Sequence, residues 1–177
     1  GEKRWPMVVD AVERAGAELP VGLMLLGTGP ESKRIEARIA GSPHIKMFRP
    51  VYDRPELARI MASCDALIHG SEAEPFGLVA SEAMAAGQPL IVPETGGCAE
   101  VADPLTSETY APRDAADAAR AIERLFARDQ PILRKAAVVV AGRVRTDREH
   151  TADLMTYYAN RLAERAGRSP HSGMVAA

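Results

Sequence analysis

A doubly wound, Rossmann-like α/β fold built on a parallel sheet is the class this sequence predicts. Short apolar runs alternate along the chain with stretches of helical periodicity, and alternation of that kind implies parallel strands joined by helices. The run "VGLMLLG" is continuously apolar and closes on glycine, the pattern of a strand covered on both faces. With 46% hydrophobic and 26% charged residues among 177, the chain has the balance of an ordinary globular protein with one full core.

"WPMVVDAVERAGAEL" places Pro6 near its start and Val8, Val9, Val12 and Leu19 at helical spacing, which predicts a first helix with Glu13 and Arg14 turned outward. The strand at 21–27 follows. Three further helix–strand units repeat the grammar: 31–40 with 45–48, 55–63 with 66–69, and 77–86 with 90–92. After "PETGG" a short helix near 99–102 and a last strand near 108–110 are expected. Helices then dominate: one N-capped by Asp114 with Ala118, Ile122 and Leu125 on a face, then "PILRKAAVVVAGRV" and "HTADLMTYYANRLAERAG" as a helical extension. Residues 1–167 are read as one domain, and 168–177, without periodicity, as a frayed tail.

A formal net charge of −2 supplies no general positive field, so generic nucleic-acid binding is excluded and an anionic ligand needs a local site. Cys64 and Cys98 are too few for a disulfide framework or a zinc site and are expected as two buried thiols in a reducing cytosol. No His, Cys, Asp or Glu cluster has metal-ligand spacing, so no metal or cofactor is expected. No apolar run in the sequence is long enough to span a bilayer.

The chemistry concentrates in "EAEPFGLVASEAMAAG", where Glu74 and Glu82 stand eight positions apart around a Pro-Phe-Gly turn. A helix opening at Gly77 would aim the free N–H groups of about Phe76 to Val79 at the crevice beyond the strand ends, where a phosphate binds. Glu82, about one and a half turns in, can accept hydrogen bonds from vicinal hydroxyls, and Glu74 can face another part of the same ligand. Two carboxylates on either side of a diphosphate match the layout of a nucleotide sugar.

With its two glutamates, PFG turn, "EAMAAGQPLIV" passage and TGG loop, "SEAEPFGLVASEAMAAGQPLIVPETGGCAEV" resembles the E-x7-E signature of group 1 (family 4, glycogen-synthase-like) retaining glycosyltransferases of GT-B architecture. The looser "GTGP" and "PELARIMASCDALI" fit the same pattern, so the likeness covers about residues 2–165. It implies that Glu82 holds the donor ribose, that Glu74 contacts the transferred sugar as the catalytic carboxylate, and that Phe76, Gly77 and Leu78 lie around the diphosphate and sugar. Lys3 in "GEKRWP" matches the lysine that neutralises the diphosphate; its partner arginine would precede Gly1. Arg49 and Val51 match the loop bordering the base, and Gly27, Gly96 and Gly97 join the donor-binding set, although each glycine also has a purely structural reading as a turn residue. His69 is expected as a hydrogen-bonded structural histidine near the site.

The resemblance implies metal-independent transfer from a UDP- or GDP-sugar to a sugar, glycan or lipid acceptor, with this chain the C-terminal, donor-binding half. The partner it calls for is an N-terminal GT-B domain carrying the acceptor site. The alternatives are a nucleotide-sugar module without turnover and a GT-B sugar-nucleotide epimerase. A cytoplasmic protein is expected, with peripheral attachment to the inner membrane face through the other domain. In the strand order 3-2-1-4-5-6 the first strand is central, and the residues before the first helix are too few to supply it. Alone, the chain is expected to bind donor weakly and to transfer no sugar.

Overall fold

A computed structural model of the chain describes residues 2–144 and 146–167; the expected tail at 168–177 lies outside the described residues. The chain forms two compact units, Gly1–Arg143 and Val144–Ala177. In the first, α1 (Trp5–Ala15) begins with proline in its first turn and buries Val8, Val9, Ala11, Val12 and Ala15. It stops at Gly16. Leu19, expected on its apolar face, lies beyond the helix in a turn whose Leu19 N–H donates to the Ala15 carbonyl at 2.9 Å. A glycine C-cap followed closely by proline ends the helix before the periodic pattern does.

Among the described residues five strands follow, all paired in parallel, in two separate groups. β1 (Leu23–Leu26) pairs with β2 (Ile45–Phe48) in the register Leu23 to Ile45. β3 (Leu67–Ile68) pairs with β4 (Leu90–Pro93), which pairs with β5 (Ser107–Tyr110). Among the described residues no strand bridges β1 to β3.

The helices α2 (Ser32–Ile39), α3 (Arg54–Ser63), α4 (Leu78–Ala85), α5 (Gly97–Val101), α6 (Ala115–Phe126) and α7 (Gln130–Ala141) flank these strands. Alternation along β4 decides the layers. Ile91 enters a core with Val9 and Val12 of α1, Ile35 of α2 and Ile122 and Leu125 of α6. Leu90 and Val92 enter the opposite core, with Ala80, Ala83 and Met84 of α4 and Ala137 and Val140 of α7. The strand at β1 is shorter than expected and is not covered on both faces. Leu25 is buried, whereas Met24 is 43% exposed, because the helix on that side, α3, buries none of its residues.

Three aspartates start helices by accepting backbone hydrogen bonds: Asp53 from Glu56 N, Asp114 from Ala116 N and Asp117 N, and Asp129 from Ile132 N. In the second unit, α8 (Asp147–Gly167) opens with a capping box, Thr146 Oγ1 accepting from Glu149 N–H and Glu149 Oε2 from Thr146 N–H. Its apolar stripe of Leu154, Tyr157, Tyr158 and Leu162 is exposed.

Asp114→Ala should destabilise the protein by about 1 kcal/mol by leaving two amides at the start of α6 uncapped, whereas Asp114→Asn stays close to wild type. Urea denaturation followed by circular dichroism reads the difference.

Candidate functional site

The site forms where the carboxyl ends of β1 and β3 meet the start of α1 and the 70–77 loop. A side chain at Gly70 would meet the Lys3 carbonyl at 2.6 Å and Val8 Cγ2 at 2.8 Å, so the turn leading into α1 rests directly on the end of β3. That contact carries Lys3 across to Glu74, whose Oε2 accepts from Nζ at 2.9 Å. The loop then lies against the start of α5. Gly97 N–H donates to the Glu74 carbonyl at 2.7 Å, and a Cβ on Gly97 would strike Pro75 at 2.7 Å. Gly77 caps α4 with φ 62°, and a Cβ there would meet the Gly97 carbonyl at 2.5 Å. Left-handed backbone and lack of room both require glycine. At the helix start the Leu78 and Val79 N–H groups have no acceptor within the helix.

Glu72, Glu74 and Glu82 each have a cation. Glu72 accepts from Arg4 Nη2 and from Arg113 at 2.7 Å each, and these guanidinium groups, Arg4 first, hold it down at about 2. The Lys3 hydrogen bond likewise lowers Glu74. Glu82 accepts from Arg54 Nη2 at 2.9 Å. The imidazole of His69 is buried, with Nε2 4.0 Å from Glu74 Oε2, and burial followed by the Lys3 charge keeps it deprotonated to lower pH than usual.

Of the residues singled out by sequence, Lys3, Glu74, Glu82 and Val51 line one cavity of about 1020 Å3, together with Phe48, Pro50 and His69. Others stand apart from its lining. Phe76 and Leu78 are exposed, 75% and 65%, at the loop and first turn of α4. Arg49 is exposed beside β2. Gly27, with φ 149°, leaves room for the Trp5 ring, whose Cη2 would sit 3.2 Å from a Cβ. Gly96, with φ 90°, packs on the Glu72 carbonyl, so both glycines of the TGG loop have a structural partner within the protein.

Two expectations need correction. His69 is not a hydrogen-bonded structural histidine: neither ring nitrogen has a hydrogen-bond partner among the described residues, because the loop offers Glu74 to Lys3 instead. Its backbone does the structural work, the carbonyl accepting from the buried Tyr110 hydroxyl. Of the two thiols, Cys98 is buried and pushed up to about 11 by desolvation, but Cys64 is only half-buried at the end of α3.

A family model described as "Glycosyl transferases group 1" matches residues 1–128. The chain belongs to that family. A D-inositol 3-phosphate glycosyltransferase from Mycobacterium sp. (strain KMS) is 31% identical over 172 residues, covering 92% of this chain and 39% of that protein. Among solved structures, sucrose-phosphate synthase from Thermosynechococcus elongatus superposes with a TM-score of 0.75 at 26% identity, over 93% of this chain and 44% of that one. Anabaena HepE in complex with UDP and glucose gives 0.65 at 23% identity, over 95% and 45%, a likeness of fold. The chain therefore spans about two-fifths of the length of such relatives.

Sequence reasoning missed Arg54, Arg4, Arg113 and Glu72. Arg54 stands in "YDRPELA" at the first position of α3, next to the helix cap Asp53, and no short-range pattern ties it to Glu82 twenty-eight residues on. The signal for Glu72 was present, a second acid two residues before Glu74 in "SEAEPFG". Among the described residues no group of three His, Cys, Asp or Glu side chains is placed to hold a metal, and no helix is long and apolar enough to cross a membrane.

Because the folded protein lowers Glu72 from 4.5 to about 2, its contribution to stability is present above about pH 4.5 and is lost as pH falls toward 2. Glu72→Gln should flatten the fall in melting temperature across that window. An unchanged profile would show that Arg4 and Arg113 do not hold the carboxylate in solution.

Proposed function

We propose that this chain is the donor-binding domain of a retaining glycosyltransferase and that its cavity takes a nucleotide-diphosphate sugar. The observation that carries the reading is the convergence of Glu74 and Glu82 on one cavity, each carboxylate held by a cation a ligand can displace. Lys3 is 57% exposed and Arg54 85%, so both ion pairs are weak and can open without much loss. When a diphosphate enters, Lys3 turns from Glu74 to the phosphates and the freed carboxylate accepts from sugar hydroxyls. Glu82 receives the ribose hydroxyls. The Leu78 and Val79 N–H groups supply donors to the diphosphate oxygens at the start of α4. Phe76, Gly77 and Leu78 then border the diphosphate and sugar, with Arg49 and Val51 beside the base.

Transfer in this reading is electrostatic. Lys3 and the α4 amides stabilise the negative charge that develops on the departing nucleoside diphosphate, while the acceptor hydroxyl attacks the anomeric carbon from the same face. No metal is needed for that stabilisation, because the charge is met by side chain and backbone donors. The acceptor, UDP or GDP choice and second domain follow the family resemblance. The Anabaena neighbour's UDP and glucose, and the glycosyltransferase named among the relatives, support a nucleotide-sugar donor.

Calorimetry with UDP, GDP and their glucose and mannose conjugates, with and without EDTA, tests the reading. Glu82→Ala should weaken binding of every nucleotide of the preferred base by about 1 to 3 kcal/mol with the fold retained. Glu74→Gln should weaken the sugar conjugate more than the bare nucleoside diphosphate. Wild-type affinity in Glu82→Ala, or equal losses for diphosphate and conjugate in Glu74→Gln, would remove those residues from the roles assigned. Release of free nucleotide without an acceptor would instead indicate epimerase chemistry.

A further inference from the structure

His69 is a buried ring at the site whose hydrogen-bonding capacity is unmet. Its side chain is 8% exposed, it lines the same cavity as Lys3, Glu74 and Glu82, and neither ring nitrogen has a hydrogen-bond partner among the described residues. A buried polar group left unmet is costly, so one that persists beside a binding site calls for a state in which it is met. The surrounding polar groups narrow the choice. The Tyr110 hydroxyl donates to the His69 carbonyl, Ser71 Oγ accepts from the Ala73 N–H at 3.1 Å, and Glu72 is taken by Arg4 and Arg113. Glu74 Oε2 lies 4.0 Å from Nε2, and Lys3 holds it at 2.9 Å.

Only side chains need to move for the ring to reach that carboxylate. The His69 N–H donates to the Ile91 carbonyl at 2.9 Å and its own carbonyl accepts from Tyr110, so the backbone that carries the ring is fixed at the end of β3. Glu74 is fixed at its carbonyl by the Gly97 N–H at 2.7 Å. With both backbones held, closing 4.0 Å to a hydrogen bond of about 2.9 Å needs a shift of about 1 Å at the carboxylate, within reach of a rotation of the Glu74 side chain. Lys3 prevents it, because an ammonium is a stronger donor to a carboxylate than a neutral imidazole. That ammonium is on a side chain 57% exposed, so it can leave at little cost.

We propose that His69 is a positioning residue that takes over Glu74 once Lys3 turns to the diphosphate: Nε2–H donates to Oε2 and leaves Oε1 for the sugar hydroxyls. The diphosphate frees the carboxylate and the imidazole fixes it again. Sugar recognition is thereby tied to diphosphate binding. The trigger rests on the donor reading, whereas the hand-over is a property of three side chains and needs no donor to be seen.

NMR of the full chain, labelled with heavy nitrogen in its histidine rings, tests the hand-over, the His69 signals being those lost in His69→Gln. Without ligand, the wild type should show no exchange-protected Nε2–H at His69. Lys3→Met, a change at an exposed side chain, should bring one out, and adding Glu74→Ala should remove it again. Of UDP-glucose and GDP-mannose, the one that binds the wild type should bring out the same proton, as should its bare nucleoside diphosphate. By calorimetry, His69→Phe should lower the preference for the conjugate over that diphosphate by about tenfold, and His69→Gln, which keeps an N–H near the place of Nε2, by much less. Absence of the protected proton in Lys3→Met overturns the proposal whatever the ligands do. So does its presence in the unliganded wild type, or an equal loss for diphosphate and conjugate in His69→Phe, which would give the ring a packing role only. The proton in Lys3→Met together with no binding of either nucleotide sugar would leave the hand-over standing and overturn the donor reading alone.

Discussion

The site depends on one close approach, the packing of the 72–77 loop against the glycines at the start of α5. A Cβ on Gly96, Gly97 or Gly77 would come within 2.5 to 2.7 Å of backbone atoms across this contact. No flexible side chain lies there to yield, so backbone meets backbone. Because Gly97 N–H also donates to the Glu74 carbonyl, the loop is pinned at the residue that carries the candidate catalytic carboxylate. The direction of α4, and with it the position of Glu82 one and a half turns on, follows from the same contact. Displacing the loop would shift both carboxylates together.

Electrostatics on this frame is arranged as ion pairs near a buried imidazole. Glu72 is anchored by two arginines and ties the start of α1 to the segment after β5, a structural use of charge. Glu74 and Glu82 have one cation each, on long exposed side chains, and surface pairs of that kind contribute little to stability. The two classes of carboxylate therefore divide the work: one holds the loop, the others remain available. His69 lies next to Glu74, its Nε2 4.0 Å from Oε2, and burial followed by the Lys3 charge lowers its pKa.

Among the described residues the strands fall into two groups, β1–β2 and β3–β4–β5. The two share the core formed by α1, α2 and α6, which contacts β1 and β2 through Leu25 and Ile45 and reaches β4 through Ile91. Helix packing on that face, not a continuous hydrogen-bonded ladder, joins β1–β2 to β3–β4–β5. The opposite face of β1–β2 has only α3, whose residues are at most half-buried, and Met24 and Phe48 remain exposed there. β4 lies at the centre of the packing, with all four of its residues buried.

Much of this was legible in the sequence because periodicity and capping are local. The order of elements, the strand at 45–48 and the Asp114 cap follow from side-chain spacing and from hydrogen bonds within three residues. Group 1 membership and the two glutamates were likewise readable, since backbone turns that require glycine leave a recognisable pattern around them. Tertiary structure alone decided the rest. Whether a strand is covered depends on what packs on each face, so Met24 in a fully apolar run turned out exposed. Ion partners such as Arg54 with Glu82 and Arg113 with Glu72 lie 28 and 41 residues apart, distances over which no periodicity carries information. The apolar run around β1 shows a strand; only three-dimensional pairing shows that one of its edges stands open, because a residue's hydrogen-bond partner in a parallel sheet lies elsewhere in the chain.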